Sequence, residues 1–547
     1  MLLEVLFHPI IPEVSGSIPG KLGTQITSQD SLSLTTHHHS MYRLLILTVL
    51  LIFSFASRSQ EKTTLITRVQ IIDGTGIPAY AASVRIKGNR IQEVGNLKAL
   101  PGEAVIDGQN KVLCPGFIDA HSHHFSSLRK FPEATATNNQ GITTIVIGQD
   151  GSSYFMDSLQ QWMNENRVAV NVASYTGHTT LRYQILGQKQ ILRAAGAAEI
   201  VAMQQLLARE MKKGSLGLST GLEYEPAFYS SQEEVVQLAK TAASFGGRYI
   251  SHIRSEDVNL TSALEEIIQI GKETGMPVQV SHIKIAKRSA WNTSAAVIAR
   301  LQQARQEGVN ITADVYPYTF WNSTLRVLFP SRNYTSWEDA NLAVTQLCDP
   351  AGSVLVNYAP VPAYVGKTLS QIAATRKETP AQTLINLIAM ADTFRRSQPN
   401  YEGPVEMIMG KSMTELDIRN FVAWSHSVIC SDGMAGGHPR GYGAFTRILS
   451  QYVRQEPLLP LATAIHKMTG LTAEFLGLKE RGIIAPGYIA DLVLLQPNKV
   501  KDRADIQNSK ALSEGIEKVW IGGQLTWQNQ HPTGNRPGVL VTSSSNR

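Results

Sequence analysis

A chain of 547 residues with 43% hydrophobic content is long enough for a large catalytic core plus a smaller domain, which excludes a disordered or fibrous protein. The formal charge of +6 comes from basic residues scattered along the chain, with no Lys/Arg block and no basic–aromatic repeat. That pattern excludes nucleic acid as the expected partner and reads as a solvated surface. Cys114, Cys348 and Cys430 are too few and too irregularly spaced for a disulfide framework or a thiolate zinc knuckle, and are expected as packed thiols.

Residues 1–40 are Ser/Thr-rich, carry His37-His38-His39 and read as an extension ahead of a start at Met41. A histidine tract on such a tail has no fixed geometry and is not a metal site. Met41-Tyr42-Arg43, the apolar run 44–56 and Ser57-Arg58-Ser59-Gln60 have the charged start, short hydrophobic centre and small-residue exit of a secretory signal over 41–60. The run is short for a bilayer span. The expectation is a periplasmic or secreted protein with no stable membrane span after signal removal, an internal anchor being the alternative if Met1 is the start.

Apolar and polar residues alternate from 63 to 113, as in Leu65-Ile66-Thr67-Arg68-Val69 and Ser83-Val84-Arg85-Ile86-Lys87, with Gly88-Asn89 as a hairpin turn. The same pattern returns in Leu492-Val493-Leu494-Leu495 and Val519-Trp520-Ile521. The flanks 61–114 and 480–547 are therefore expected to form one small β-sandwich domain built from both chain ends.

The centre, 115–479, switches to strand, helix, strand. Strands read at 141–148, 170–176, 215–220, 248–253, 277–283, 309–315 and 427–431, besides a first one ending at His121. Between them lie helical faces such as Leu260, Leu264, Ile267, Ile268 and Gly271. Eight such units in series predict an α/β protein with a (β/α)8 TIM-like barrel, whose chemistry sits at the carboxyl ends of the strands. Residues 320–420 are too many for one loop and predict a helical insertion after strand seven, with Pro380-Ala381-Gln382-Thr383-Leu384-Ile385 as one helix.

Histidines and a carboxylate stand at those strand ends. His121 and His123 close the apolar run Pro115-Gly116-Phe117-Ile118-Asp119-Ala120, and the i, i+2 spacing puts both imidazoles on one face. His252 and His282 each end an apolar run one β/α unit apart, and Asp432 ends Val428-Ile429-Cys430-Ser431. Four imidazoles and a carboxylate suit zinc or a similar borderline cation and point to a hydrolytic metal site.

With these residues in place, the chain resembles the amidohydrolase superfamily, and within it the N-acyl-D-amino-acid deacylase (D-aminoacylase) family. Further stretches that carry the resemblance are Gln140-Gly141-Ile142-Thr143-Thr144, Gly177-His178, Ser219-Thr220-Gly221-Leu222-Glu223-Tyr224-Glu225-Pro226, His252-Ile253-Arg254-Ser255-Glu256, Asp314-Val315-Tyr316-Pro317-Tyr318, His438-Pro439-Arg440 and Ala485-Pro486-Gly487-Tyr488. The resemblance implies a metal-dependent barrel holding one or two Zn2+ or other divalent ions. It also implies hydrolysis of the amide in a small-molecule N-acyl-D-amino acid.

Beside that resemblance, His252 and His282 are expected to hold the tighter metal. By family analogy, His121 and His123 with Asp432 form a second or weaker position. Asp432 is placed to take the proton of the attacking water and return it to the departing amine. The substrate carboxylate needs cations, and Arg254 and Lys284, each two residues past a histidine ligand, are expected to face it with the Tyr316 hydroxyl. The alternative for Arg254 and Lys284 is an ion pair at the barrel rim, with Glu256 as the partner of Arg254. One departure stands out: where the family has a metal-binding Cys in a Gly-Asn-Cys-Gly turn, this chain reads Gly148-Gln149-Asp150-Gly151. Asp150 is expected as an oxygen ligand, against an ordinary turn residue, with Glu223 as the alternative ligand. His178 is a candidate oxyanion donor and His438 a packed or supporting histidine; His426 and His466 read as structural. Rival functions are hydrolysis of cyclic amides or isoaspartyl dipeptides on the same scaffold, or an exported binding protein with a degenerate metal site.

Overall fold

The computed structural model describes residues 63–434 and 436–543. The extension and secretory signal expected over 1–60 lie outside the described residues. Among the described residues no helix is long and apolar enough to cross a membrane.

Alternating residues at both chain ends do pair. Thr63–Ile71, Tyr80–Lys87, Arg90–Gly95, Ala104–Asp107 and Val112–Pro115 from the front join Leu492–Leu495, Ile516–Ile521, Gln524–Gln528 and His531–Pro532 from the back in one nine-stranded sheet. The seam is Val112–Pro115 running antiparallel to Leu492–Leu495. Successive side chains on a strand point to opposite faces. Leu113, Leu492, Leu494 and Trp520 therefore join Ile66, Val84 and Ile91 in a core belonging to this domain, whereas Cys114, Val493, Leu495 and Val519 join the barrel core. At about 1.5–3 kcal/mol for each fully buried Leu, Ile or Val, two-sided burial fixes this sheet to the barrel. All three cysteines are buried free thiols, as expected.

The barrel follows chain order. Its strands are Phe117–Asp119, Ile142–Ile147, Asn171–Ser174 continued by Thr176–Gly177, Gly217–Gly221, Arg248–His252, Val278–Val280, Ile311–Val315 and Ser427–Ile429, all parallel to their neighbours. Beyond the ends of the last and first strands, the Asp432 amide donates to the His121 carbonyl at 2.8 Å and the His123 amide to the Gly433 carbonyl at 2.9 Å, which closes the ring. Leu260–Thr274 shows how the outer layer is held: Ala263, Leu264, Ile267, Ile268 and Gly271 form its buried face, and Gly275 stops it in the left-handed conformation.

The insertion after strand seven holds the expected helices and, beside them, a sheet that the sequence pattern did not show. Phe320–Ser323, Glu406–Lys411 and Val354–Tyr358 form a three-stranded antiparallel sheet. The helices Leu369–Arg376 and Pro380–Ser397 accompany it, and Leu355, Leu384, Leu387, Ile388 and Ile408 share a separate core. The strands are short, and Met-rich Glu406–Lys411 carries little period-two signal, so the long amphipathic helices dominated the sequence pattern.

Candidate metal centre

Three of the residues at the strand ends have positive φ: Asp150 (+55°), His282 (+33°) and Asp432 (+46°). Such conformations cost energy in non-glycine residues and persist only where the surroundings impose them. The surroundings here are explicit. Buried Asp119 accepts hydrogen bonds from the amide and hydroxyl of Ser431, which fixes the backbone entering Asp432. Asp314 accepts from the His282 amide at 2.7 Å and from the Gln279 side chain at 2.6 Å. The Asp150 turn is pressed against strands three and four: a Cβ on Gly177 would lie 2.2 Å from the Gly151 carbonyl oxygen, and one on Gly221 would lie 2.4 Å from the Asp150 carbonyl oxygen. Only glycine permits that approach.

The result is a compact cluster. His121 Nε2 lies 3.6 Å from Asp150 Oδ1 and 3.7 Å from Asp432 Oδ1; His123 Nε2 lies 3.4 Å from Asp150 Oδ2 and 3.3 Å from Asp432 Oδ1. On the other side, His282 Nε2 lies 3.4 Å from Asp150 Oδ1 and 3.1 Å from His252 Nδ1. Asp150 thus belongs to both groups, His121–His123–Asp150–Asp432 and Asp150–His252–His282, each with ligand atoms within 4.8 Å of one another.

A divalent cation fits this donor set. Among the described residues, both ring nitrogens of His121 and Oδ1 of Asp150 are buried without a hydrogen-bond partner, an arrangement that proteins avoid unless something else satisfies those atoms. Ligands about 2.0–2.1 Å from a tetrahedral zinc lie about 3.3 Å from one another, close to the spacing found. The electrostatics agree. Burial opposes a charge on Asp432, yet Arg440 and the neighbouring imidazoles hold its carboxyl well below the usual range, and His121 does most to hold Asp150 down against the same burial. Burial likewise opposes charge on His123 and His282, yet Asp150 and Asp432 raise His123 to about 9, and Glu256 and Asp150 raise His282 to about 10 in spite of Lys284. The carboxylates thus favour positive charge on the imidazoles they face.

The expected supporting residues separate. Lys284 is buried beside the cluster, its ammonium donating to both oxygens of Glu256 at 2.8 and 2.9 Å and lying 2.6 Å from His282 Nδ1. The Tyr316 hydroxyl is buried without a partner among the described residues, and burial pushes it up to about 12. Arg254 is not brought into the cluster. Its guanidinium makes a bidentate pair with Glu266, both bonds 2.8 Å, and donates to the carbonyls of Phe228 and Ser230. Its partner is Glu266, while Glu256 pairs with Lys284. His178 also lies apart, at the start of the helix His178–Leu186, with Nε2 2.8 Å from Glu234. Glu223 sits just beyond strand four with Oε2 2.8 Å from His252 Nε2. His438 has both ring nitrogens engaged, Nδ1 accepting from the Arg440 amide and Nε2 lying 3.0 Å from the Phe320 carbonyl.

Sequence reasoning missed Arg440. It is buried, pairs with Asp432 Oδ2 at 2.8 Å, stacks its guanidinium 4.5 Å from the Tyr316 ring centre and keeps an unpartnered Nε. The signal is present in His438-Pro439-Arg440, a stretch that carries the resemblance and holds a cation eight residues past Asp432.

A (β/α)8 barrel with imidazoles and carboxylates converging at its strand ends defines a metal-dependent hydrolase. The amidohydrolase family profile matches residues 104–351 and 424–527, leaving out most of the insertion, and the chain belongs to the amidohydrolase family. It is 31% identical over 521 residues to a D-aminoacylase of Alcaligenes xylosoxydans xylosoxydans, spanning 89% of this chain and 99% of that one. It is 32% identical over 510 residues to an N-acyl-D-glutamate deacylase of the same organism, spanning 88% and 97%. Among solved structures, the N-acyl-D-glutamate deacylase from Bordetella bronchiseptica, complexed with zinc and a phosphonate mimic of the tetrahedral intermediate, superposes with a TM-score of 0.78 at 30% identity, covering 88% of this chain and 100% of that one.

Proposed function

We propose that the protein is a metal-dependent deacylase that hydrolyses the amide bond of N-acyl-D-amino acids, releasing a carboxylate and a D-amino acid. The observation that carries the reading is a set of unsatisfied buried groups of opposite character in one cavity. His121 and Asp150 offer lone pairs to a cation, while Arg440 Nε and the Tyr316 hydroxyl offer N–H and O–H to an anion. The similarity to deacylases of N-acyl-D-amino acids over most of the chain supports it.

His121, His123, Asp150, His252, His282 and Asp432 would hold one or two divalent zinc ions, which when bound would acidify water and polarise the scissile carbonyl. Asp432, kept ionised by Arg440, accepts the proton of the attacking water and delivers it to the amide nitrogen as the C–N bond breaks. Arg440 and Tyr316 receive the α-carboxylate. Lys284 contributes less, because Glu256 already neutralises its ammonium. With the carbonyl and the carboxylate both fixed, the side chain has one direction left, so the site discriminates enantiomers. A panel of N-acetyl-D and N-acetyl-L amino acids assayed by amine release, with a hydantoin and an isoaspartyl dipeptide as controls, is expected to show turnover of the D forms. Turnover confined to a control substrate would overturn the reading.

The charged start and apolar run over 41–60 support export of the chain. Intact-mass analysis of natively expressed protein is expected to give a mature form beginning near Ser57 to Glu61, and retention of 44–56 in a membrane fraction would contradict it.

A further inference from the structure

We propose that Glu223 is a positioning residue that holds His252 with its proton on Nε2, leaving Nδ1 free for the cation; the inference rests on the metal-site reading above. The two ring nitrogens of an imidazole are not equivalent, and the partner of one decides which atom of the other face is a lone pair. His252 Nδ1 faces the shared cavity, 3.1 Å from His282 Nε2, whereas its Nε2 points away to Glu223 Oε2 at 2.8 Å. Both residues are buried. A carboxylate is acceptor-only when ionised, so the hydrogen must sit on Nε2.

Glu223 is itself held on two sides. Its carbonyl accepts from buried Arg332, a residue of the insertion whose guanidinium stacks 4.7 Å from the Phe228 ring centre. Its Oε1 lies 3.4 Å from the Glu256 amide nitrogen, which donates to it. This gives the insertion a role at the metal: Arg332 braces the backbone of the residue whose carboxylate sets the tautomer of a ligand. His282 has no such single master, since its Nδ1 meets Glu256 Oε1 at 3.0 Å and the Lys284 ammonium at 2.6 Å.

A competing arrangement exists, because Glu223, His252 and Glu256 could also hold a cation among themselves. The distances favour orientation. Glu256 Oε2 is 3.7 Å from His252 Nε2, and both Glu256 oxygens are already bound by Lys284, so that group lacks the unsatisfied charge that marks the main cluster.

The test is Zn2+ affinity and stoichiometry of the full protein, measured by competition with a chromophoric chelator, for wild type, Glu223→Leu and Glu223→Gln, with thermal melts to confirm folding. Glu223→Leu is expected to weaken Zn2+ binding about 10–100-fold, the range for loss of a partner to a ligating histidine, while reaching the wild-type number of ions at saturation. Glu223→Gln, whose amide oxygen still accepts from Nε2, is expected to retain most of the affinity. Unchanged affinity in Glu223→Leu would overturn the proposal. So would loss of one Zn2+ equivalent at saturation in both variants, which would make Glu223 a ligand. A wild-type protein that takes up no Zn2+ would overturn the metal-site reading itself, and is distinguishable because it appears before any substitution is made.

Discussion

Two charged clusters sit at the carboxyl ends of neighbouring barrel strands, and they differ in how their carboxylates are matched. After strands three to five, Glu234 takes His178, Arg182 and the Ala195 amide, and Glu266 takes both arms of Arg254. Across the barrel mouth, Asp150 and Asp432 face four imidazoles with His121 and Asp150 Oδ1 left without partners. In the first cluster every carboxylate oxygen has a partner within the chain, although His178 Nδ1 and Arg182 Nε have none among the described residues, and the pairs cement loops. The second is incomplete without a cation. Proximity of His and Asp/Glu does not separate a site from a brace; an unpartnered buried carboxylate oxygen beside an imidazole with neither nitrogen engaged does.

Asp432 separates the two clusters most clearly. Asp432→Asn is expected to keep bound metal, since His252, His282 and Asp150 remain, and to lower kcat by roughly 10²–10⁴, the worth of a general acid–base group. His252→Ala or His282→Ala should remove metal and activity together. Elemental analysis beside turnover distinguishes the two, and full activity in the asparagine variant would contradict the mechanism.

Arg440→Ala is expected to lower kcat/KM for an N-acetyl-D-amino acid by about 1.5–3 kcal/mol in transition-state terms, the strength of a charged hydrogen bond, and by less for an uncharged acyl amide. Lys284→Ala should cost less, and Arg254→Ala should leave the substrate preference unchanged, because its guanidinium belongs to the brace. A greater loss of specificity from Arg254→Ala than from Arg440→Ala would reverse the assignment.

Asp150→Ala is expected to weaken metal binding at least roughly tenfold, and Asp150→Cys to retain it with a softer ligand. Unchanged metal content in the alanine variant would make Asp150 a turn residue.

The brace should show in stability. Although burial opposes its charge, Glu234 is held at about 2 by hydrogen bonding to His178 and by the charge of Arg182. A folded pKa below the unfolded value near 4.3 contributes stability that is complete above that value and is lost as pH falls toward 2. Glu234→Gln is therefore expected to lose about 3 kcal/mol at pH 7, as for a broken buried pair, with turnover little changed. The gap to wild type in denaturant midpoint should narrow below about pH 4; a gap independent of pH would assign the loss to packing.

Much of this is legible in the chain because two patterns carry it. Apolar runs ending in His121, His252, His282 and Asp432 put the ligands where a parallel barrel gathers them, and the paired flanks follow from period-two alternation at both ends. Arg254 and Arg440 show the limit. Arg254 follows a ligand by two residues, but the chain beyond strand five carries its guanidinium outward to Glu266 on the adjoining helix. Arg440 comes eight residues after Asp432 and returns to it through a loop whose shape depends on His438 bonding Phe320 of the insertion. Such returns are tertiary, and neither spacing nor burial pattern encodes them. The insertion's sheet was hidden for a related reason, its strands being short and paired across long separations.

The most direct test of the central claim is kcat/KM for matched N-acetyl-D and N-acetyl-L enantiomers, before metal stripping, after it, and after restoring Zn2+. The account predicts turnover of the D enantiomer that disappears on stripping and returns with Zn2+, with the L enantiomer far slower throughout. Equal rates on both enantiomers, or D-selective activity that survives complete metal removal, would contradict it.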